Sequence, residues 1–302
     1  MKMLIFVKIK ISGNIMLYRL PAAFQEIPPL QLCHSGKSAM AWFRLLDRQD
    51  KAEGFLTENT LVFVIRGSKH VHLPQGKIIA GSGDVMLLKR GTYFMSAFLT
   101  DGAEYQGLML CVDDNILRSF LDDVQHVQET QTNIPMVLPC STQLTAVRDS
   151  IISYMQQPGE HTPRLLELKI KEVLLLLLSG KHRAAVLSFL HHLFDTSAEN
   201  LTMTIRAHLL KPLSLAEYAK ICGLSLSAFK REFAKLYQAP PKKWINEEKL
   251  KHAHYLLQHI PKNVNEIADE CGFESTSYFI RQYKQLYGIT PKNTQRTKTA
   301  TF

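Results

Sequence analysis

The 302-residue chain has few cysteines and no long hydrophobic run. Its five cysteines form neither a CxxC pair nor a short disulfide framework, which favours a reducing compartment such as the cytoplasm. The longest apolar run, Val173 to Leu178, is far shorter than the ~20 residues that a membrane-spanning helix needs. We therefore expect no transmembrane segment and a cytoplasmic location.

Signatures of catalysis are also missing. The chain contains no nucleophile elbow, no Walker loop and no dinucleotide fingerprint. The GSGD segment, Gly81 to Asp84, lacks the strand-to-helix context of such loops and is interpreted as a hairpin turn. We accordingly expect a protein that is not an enzyme and that holds no cofactor.

Positive charge is present but unevenly distributed. From Glu199 to Phe302 the chain carries 16 Lys and Arg against 9 Asp and Glu, a net charge of +7. The first 198 residues carry 20 against 18, a net charge of only +2. A basic C-terminal third suggests a polyanionic partner, although charge alone is explained equally well by a solvated basic surface.

Short apolar runs alternate with Gly-containing turns between Trp42 and Asp113. This even spacing predicts an antiparallel β-barrel or sandwich. The predicted strands are Leu61–Gly67, Lys69–Gly76, Lys77–Asp84, Val85–Gly91, Thr92–Leu99 and Tyr105–Val112.

Helical periodicity begins after Asp113, where apolar residues recur at three- and four-residue steps. The segment from Arg164 to Ser179 is apolar on more than one face, so it is either buried in its own domain or a dimer contact. Asp195 to Asn200 is the predicted linker. The predicted helices are Asn115–Gln128, Thr142–Gln156, Arg164–Ser179 and Ala184–Phe194.

The C-terminal region contains an internal duplication. The segment AKICGLSLSAFKREFAKLYQAPP, Ala219 to Pro241, recurs as ADECGFESTSYFIRQYKQLYGITP, Ala268 to Pro291. Matching residues are offset by 49 up to the shared Gly and by 50 after one inserted residue.

Each copy predicts a helix-turn-helix. A short helix that starts with a capping box ends at a Gly able to adopt the left-handed conformation, and a polar turn then opens a second helix. The predicted helices are Leu215–Cys222 and Leu226–Tyr237 in the first copy, and Val264–Cys271 and Thr276–Tyr287 in the second. The residues expected to form the turns and the helix packing are Gly223, Gly272, Phe229, Phe279, Ala219 and Ala268. The expected apolar stripes are Phe229, Phe233 and Leu236, and Phe279, Tyr283 and Leu286.

The opposite face of each second helix is polar and basic. Such a helix fits the ~12 Å major groove of DNA with its N-terminal residues against base edges. A long helix predicted from Lys243 to His259 joins the copies and would hold the two reading helices about one turn of DNA, ~34 Å, apart. Its predicted inward residues are Ile245, Leu250, Ala253, Leu256 and Leu257, and its histidines, His252, His254 and His259, are predicted to be solvated.

The segment from Ile267 to Pro291 resembles the signature of the AraC/XylS family of bacterial transcription regulators, and the resemblance covers roughly Leu201 to Arg296. It implies that the second helix of each copy enters the major groove. The base-reading residues would then be Ser227, Lys230, Arg231, Thr276, Ser277 and Arg281, with Lys235, Lys284 and Arg206 on phosphates. The family usually has an aromatic residue and an Arg after the last proline, and PKNTQR, Pro291 to Arg296, has no aromatic residue there, which predicts a weaker closing contact for the last helix.

The N-terminal strands are similar to the cupin-like regulatory domain of the same family. The segments Arg66 to Ser96 and Leu168 to Gly180 resemble the subgroup that includes activators of type III secretion. This resemblance leaves a small-molecule effector and a protein effector both open.

A pair of histidines and a pair of cysteines were weighed as chemical sites. His70 and His72 would point to one side of a strand, as in metal-binding cupins, but no third His or nearby Glu follows them. A half-exposed polar face is favoured, and a metal-dependent cupin enzyme fused to a DNA-binding module is the alternative function. Cys222 and Cys271 precede the turn glycines and are interpreted as buried fillers.

The combined prediction is an α+β protein. Residues 16–195 form an N-terminal cupin-like antiparallel β-barrel or sandwich with helices, which serves regulation and dimerisation. An all-α domain of two tandem helix-turn-helix units joined by a long helix follows at 200–296, with a tail at 297–302. Residues 1–15 are either disordered or an artefact of a mis-assigned start codon, in which case Met16 is the first residue.

The predicted function is that of a sequence-specific DNA-binding transcription activator. Its expected partners are double-stranded promoter DNA, RNA polymerase and a second copy of the chain, with no membrane. A rival prediction gives the N-terminal domain only the task of docking a partner protein.

Overall fold

The computed structural model describes residues 18–25, 30–46, 49–73, 76–98, 104–124 and 136–299. These residues fall into two compact units that divide between Phe194 and Asp195. The predictions for residues 1–15, for residues 125–128 of the first predicted helix and for residues 300–302 lie outside the described residues.

Two β-sheets form most of the first unit. One contains five strands in the order β1-β4-β9-β6-β7, and the other contains six in the order β11-β8-β5-β10-β3-β2. The described pairings are antiparallel except for β1 with β4, which is parallel. The strands are β1 Tyr18–Leu20, β2 Gln31–Ser35, β3 Ser38–Leu45, β4 Gln49–Leu56, β5 Asn59–Arg66, β6 Ser68–Leu73, β7 Gly76–Ala80, β8 Asp84–Leu88, β9 Gly91–Phe98, β10 Tyr105–Val112 and β11 Met136–Pro139.

The six-stranded sheet is covered on both faces. Along β5, Val62 and Val64 point into a core shared with the five-stranded sheet, while Leu61 and Phe63 point into a core shared with helices. Alternate residues of a strand face opposite sides, so burial of both faces explains the continuously apolar sequence of β5. The helices of this unit are α1 Asp114–Asp122, α2 Thr142–Gln156, α3 Thr162–Ser179 and α4 Arg183–His192.

The predicted α+β fold with an N-terminal antiparallel sandwich is confirmed. Each of the six predicted strands overlaps one of β5 to β10, and the bounds of β10 are the predicted ones. The sequence prediction missed β1 to β4 and β11.

The described part of the second unit is helical. Of its helices, α7 and α10 have the predicted bounds, and α8 begins at Pro241, two residues before the predicted start, because proline is tolerated in the first turn. The helix α5 begins at Ala198 after the N-cap Ser197, so it overlaps the predicted linker. No helix in the described residues has the length and hydropathy needed to cross a bilayer. The helices are α5 Ala198–His208, α6 Leu215–Ile221, α7 Leu226–Tyr237, α8 Pro241–His259, α9 Val264–Glu270, α10 Thr276–Tyr287 and α11 Pro291–Thr299.

Each helix-turn-helix copy has its own hydrophobic core, and α8 contributes to both. The first core contains Ile245 of α8 together with Phe229 and Phe233 of α7. The second contains residues of α8 from Leu250 onward together with Phe279 of α10. The boundary between the two cores therefore lies on α8 between residues 245 and 250.

Candidate nucleic-acid interface

The two turns that aim α7 and α10 are built alike. Gly223 and Gly272 adopt φ angles of 69° and 72°, and the amide after each Gly donates to the carbonyl of Ala219 or Ala268 at 2.9 or 3.0 Å. These bonds close the end of α6 and of α9. The N-cap side chains Ser225 and Ser275 then accept hydrogen bonds from the first turns of α7 and α10. The same local geometry thus directs both helices.

The buried side of each reading helix is mostly as predicted. Phe229, Phe233, Phe279 and Tyr283 are inaccessible to solvent, and Ala219 and Ala268 pack in the same cores. The prediction for the end of each stripe was wrong, since Leu236 and Leu286 are 38% and 43% exposed. Tyr237 and Tyr287 take their place, with ring centroids 4.5 Å from Phe233 and 4.7 Å from Tyr283, because α8 packs on that side of each helix.

The predicted base-reading residues lie on the opposite face. Ser227, Lys230 and Arg231 are exposed on α7, Ser277 and Arg281 are exposed on α10, and Thr276 is half-buried as the first residue of α10. The predicted phosphate contacts, Lys235, Lys284 and Arg206, are also exposed. The structure therefore leaves both sets accessible to a ligand, and their roles stay predictions.

The basic face of α7 carries an ion-pair network. The Arg231 Nε donates to the Glu232 carboxylate at 3.0 Å, and the Lys235 Nζ lies 3.2 Å from the same group. Hydrogen bonds from Arg231 and Lys235 hold the pKa of Glu232 below its ordinary value. Two of the three cations on this face are thus partly neutralised, whereas Lys230 has no ion pair within the described residues.

The face of α10 differs in its chemistry. The Arg281 guanidinium lies 5.6 Å from the centroid of the Tyr278 ring, and neither Arg281 nor Lys284 has an acidic partner within the described residues. Ile280, which matches Lys230 at the offset of 50, is 37% exposed. An apolar side chain at such a position can contact a thymine methyl group. Ile280 was not among the predicted site residues, although alignment of the two copies places it at the position of Lys230.

Lys249, a buried cation on α8, was not predicted from the sequence. Its side chain is almost inaccessible, at 5% exposure, and its Nζ donates to the carbonyls of Lys211 and Gly272, both at 2.9 Å. Burial lowers the pKa of Lys249 to about 8. Lysine is usually solvated, so periodicity alone did not include it among the inward residues of α8.

The last helix closes the second copy through polar contacts. The Tyr283 hydroxyl lies 3.0 Å from the hydroxyl of Thr294, which is buried in α11. The Nδ1 of His254 shares a hydrogen bond with the same Tyr283 hydroxyl, and the His254 ring stacks on Tyr287 with centroids 4.3 Å apart. The prediction that His254 is solvated was therefore wrong, while His259 is exposed as predicted.

The weighed chemical sites show no metal-ligand cluster. His70 pairs with the hydroxyl of Ser68, and His72 with that of Ser96 at 2.9 Å. Within the described residues, no group of three or more His, Cys, Asp or Glu side chains could hold a metal ion. Cys222 and Cys271 are buried in the two small cores, and burial raises the pKa of Cys271 to about 12, which opposes thiolate chemistry.

Comparisons with known proteins agree with this organisation. Residues 59–189 match the family described as the ExsA N-terminal regulatory domain, and residues 218–297 match a helix-turn-helix domain. The regulator ExsA of Pseudomonas aeruginosa is 27% identical over 229 residues, which cover 72% of this chain and 78% of ExsA. The activator VirF of Yersinia enterocolitica is 27% identical over 224 residues, covering 72% and 82%. A crystal structure of fatty-acid-bound ToxT from Vibrio cholerae is 14% identical with a TM-score of 0.43, and covers 86% of this chain and 95% of ToxT.

A regulatory sandwich joined to tandem helix-turn-helix units defines a two-domain, DNA-binding transcription regulator. The predicted resemblance to the AraC/XylS family of such regulators is confirmed by these matches.

Proposed function

We propose that this protein activates transcription by placing α7 and α10 in successive major-groove segments of promoter DNA. The observation that carries the proposal is the duplicated turn, because it presents a helix with an exposed polar and basic face in each copy. Relatives are named as activators, which supports the direction of the regulation. A cytoplasmic bacterial location, where promoter DNA and RNA polymerase are accessible, accords with this role.

Roles for single residues follow from their surroundings. Arg231 and Arg281 are proposed as the guanine readers, because Arg bonds guanine in a bidentate manner. Ser227, Lys230, Thr276 and Ser277 would contact neighbouring base edges. Lys235, Lys284 and Arg206 would contact phosphates and give the binding its salt dependence.

A binding experiment tests the proposed function. Purified full-length protein is mixed with fragments of the host genome, and the bound fragments are sequenced at several salt concentrations. We expect a few promoter fragments to be enriched over competitor, and transcription from them with purified RNA polymerase to rise when the protein is added. Equal affinity for every fragment at low ionic strength would contradict the proposal.

The helix α3 supports a homodimer as a second proposal. Leu165, Leu168 and Leu175 are exposed along one side of α3, while Leu166 and Ile170 are buried on the other. An exposed leucine stripe with three- and seven-residue spacing suits a helix–helix contact with a second copy. Leu168→Glu should shift the sedimentation of the full chain towards the monomer, whereas Lys181→Glu, an exposed change beyond the end of α3, should not.

The effector of the first unit is proposed to be a protein. The cavity lined by Phe24, Phe43, Lys69 and Tyr105 has a volume of only about 90 Å³, whereas small-molecule pockets usually measure ~300–1,000 Å³. A thermal-shift screen against the full chain should find no stabilising metabolite, and a small molecule that raises the unfolding temperature in proportion to its concentration would overturn this choice.

A further inference from the structure

One contact between the two helix-turn-helix copies is made by a buried lysine of α8. Lys249 lies between Ile245, which belongs to the first core, and Leu250, which belongs to the second. Its ammonium group also lies 5.7 Å from the centroid of the Phe273 ring. Of its two acceptors, the Lys211 carbonyl precedes α6 in the first copy, and the Gly272 carbonyl belongs to the turn of the second.

A second contact brings the same two segments together. A Cβ added at Gly272 would lie 2.8 Å from the carbonyl carbons of Leu210 and Lys211. Real Cβ atoms do not approach backbone so closely, so the turn that aims α10 presses directly on the segment that leads into α6. The absence of a side chain at Gly272 therefore permits the close approach that Lys249 then bridges.

We propose that Lys249 is a positioning residue that fixes the spacing of the two reading helices by bridging the carbonyls of Lys211 and Gly272. The inference deepens the proposed function and rests on it. The Gly272 carbonyl is buried and needs a donor, whereas the Lys211 carbonyl also accepts from the Leu213 amide at 2.8 Å. One ammonium group has enough N–H bonds to reach one carbonyl from each copy. Because α8 is otherwise the main connection, this bridge resists rotation of one copy against the other.

We expect the bridge to increase the affinity of the two linked copies for DNA. Two linked modules gain roughly 10²–10⁴ in affinity over one module when their linkage matches the spacing of their sites. A bridge that holds the matching geometry keeps this gain and makes the protein selective for the number of base pairs between the half-sites.

The test compares Lys249→Met, Lys249→Arg and Lys251→Met in the full chain. Lys251 is exposed on the same helix and pairs with Glu248, so Lys251→Met removes an equal charge without touching the bridge. Dissociation constants are measured on the selected site, on each half-site with the other scrambled, and on sites with one or two base pairs inserted between the halves.

We expect the affinity of Lys249→Met for each half-site to stay within about threefold of the wild-type value. The additional affinity for the full site over a half-site should be at least about tenfold smaller than in the wild type. The loss of affinity that an inserted base pair causes should also be smaller in Lys249→Met. Lys249→Arg, which retains donors, should recover part of the gain, and Lys251→Met should behave like the wild type. An equal loss on half-sites and full sites, or an unchanged spacing preference, would overturn the proposal.

Hydrogen exchange provides a measurement that needs no DNA. In Lys249→Met, the amides of residues 209–211, 213 and 271–274 should exchange faster together, while those inside α7 and α10 stay protected. Faster exchange throughout the second unit, or in neither segment, would also overturn the bridge. If the wild type shows no preference among DNA fragments, the proposed function fails, and the exchange result still decides whether Lys249 joins the two copies.

Discussion

The two helix-turn-helix copies share one backbone plan but close their cores with different chemistry. In the first copy Trp244 forms an edge-to-face pair with Phe233 and a tilted pair with Tyr237, with ring centroids 5.6 and 4.2 Å apart. In the second copy the residue that matches Trp244 at the offset of 50 is Thr294, which meets the hydroxyl of Tyr283. Tyr283 of the second copy thus matches Phe233 of the first, and its hydroxyl pairs with Thr294, which is smaller than Trp244.

The exposed faces of the two copies differ in the same way. On α7 a glutamate engages the cations, whereas on α10 an isoleucine and an arginine above a tyrosine ring are exposed. The duplicated turn therefore fixes the direction of each helix, while the exposed residues remain able to diverge. We infer that the copies read different base sequences, so the preferred site should be asymmetric.

The largest expected effect is that of adding a side chain at Gly272, which we compare with the same change at Gly288, an ordinary left-handed helix cap. Gly272 and Gly288 both have positive φ angles, but a Cβ at Gly288 would meet open space. Gly288→Ala should cost about 1–2 kcal/mol from backbone strain alone. Gly272→Ala adds displacement of the Leu210–Lys211 backbone, so its total should reach about 2–5 kcal/mol.

Calorimetric unfolding of the full chain measures both variants. The transition of the second unit should fall in temperature much further for Gly272→Ala than for Gly288→Ala. Equal shifts would show that the close approach to Leu210 and Lys211 does not contribute.

The next effect compares the two arginines. Arg281→Ala should cost about 1–3 kcal/mol on the selected site and relax specificity at one position. Arg231→Ala should cost less, because Arg231 must first leave its exposed ion pair with Glu232. Titration of each variant against the selected site and its single-base variants measures both losses.

The variant Glu232→Gln sharpens this comparison. It removes the competing carboxylate, so Arg231→Ala should cost more in that background than in the wild type. A loss for Arg281→Ala that is equal on random DNA would contradict its assignment as a base reader.

Local signals predicted the elements that carry strong local patterns. Caps and turn glycines gave the bounds of α7 and α10, since a helix end depends on residues within one turn. The strands β3 and β4 were missed because SAMAWFRL and QDKAEGFL have no β-branched residues, and their partners, β10 and β9, lie far along the chain. Burial of Lys249 depends on two carbonyls from distant segments, which no helical period encodes.

A smaller effect tests the polar closure of the second copy. Tyr283→Phe converts this position to the residue found in the first copy and removes the hydroxyl that Thr294 and His254 contact. The expected loss is about 0.5–1.5 kcal/mol, the net contribution of one hydrogen bond, because the Thr294 hydroxyl still donates to the Thr290 carbonyl. The double variant with Thr294→Val should lose less than the sum of the two single losses, and additive losses in the unfolding experiment would contradict a direct pair.

The smallest expected effect concerns phosphate contacts and again contrasts the copies. Lys284→Ala should weaken binding to specific and random DNA alike and reduce the slope of log affinity against log salt by about 0.9, as expected for one lost phosphate contact. Lys235 lies in the ion-pair network of Glu232, so part of its charge is already balanced and Lys235→Ala should change the slope less. Affinities at four salt concentrations measure both slopes. Equal changes for the two lysines would mean that the Glu232 network dissolves on binding, and the contrast between the copies would then be confined to base reading.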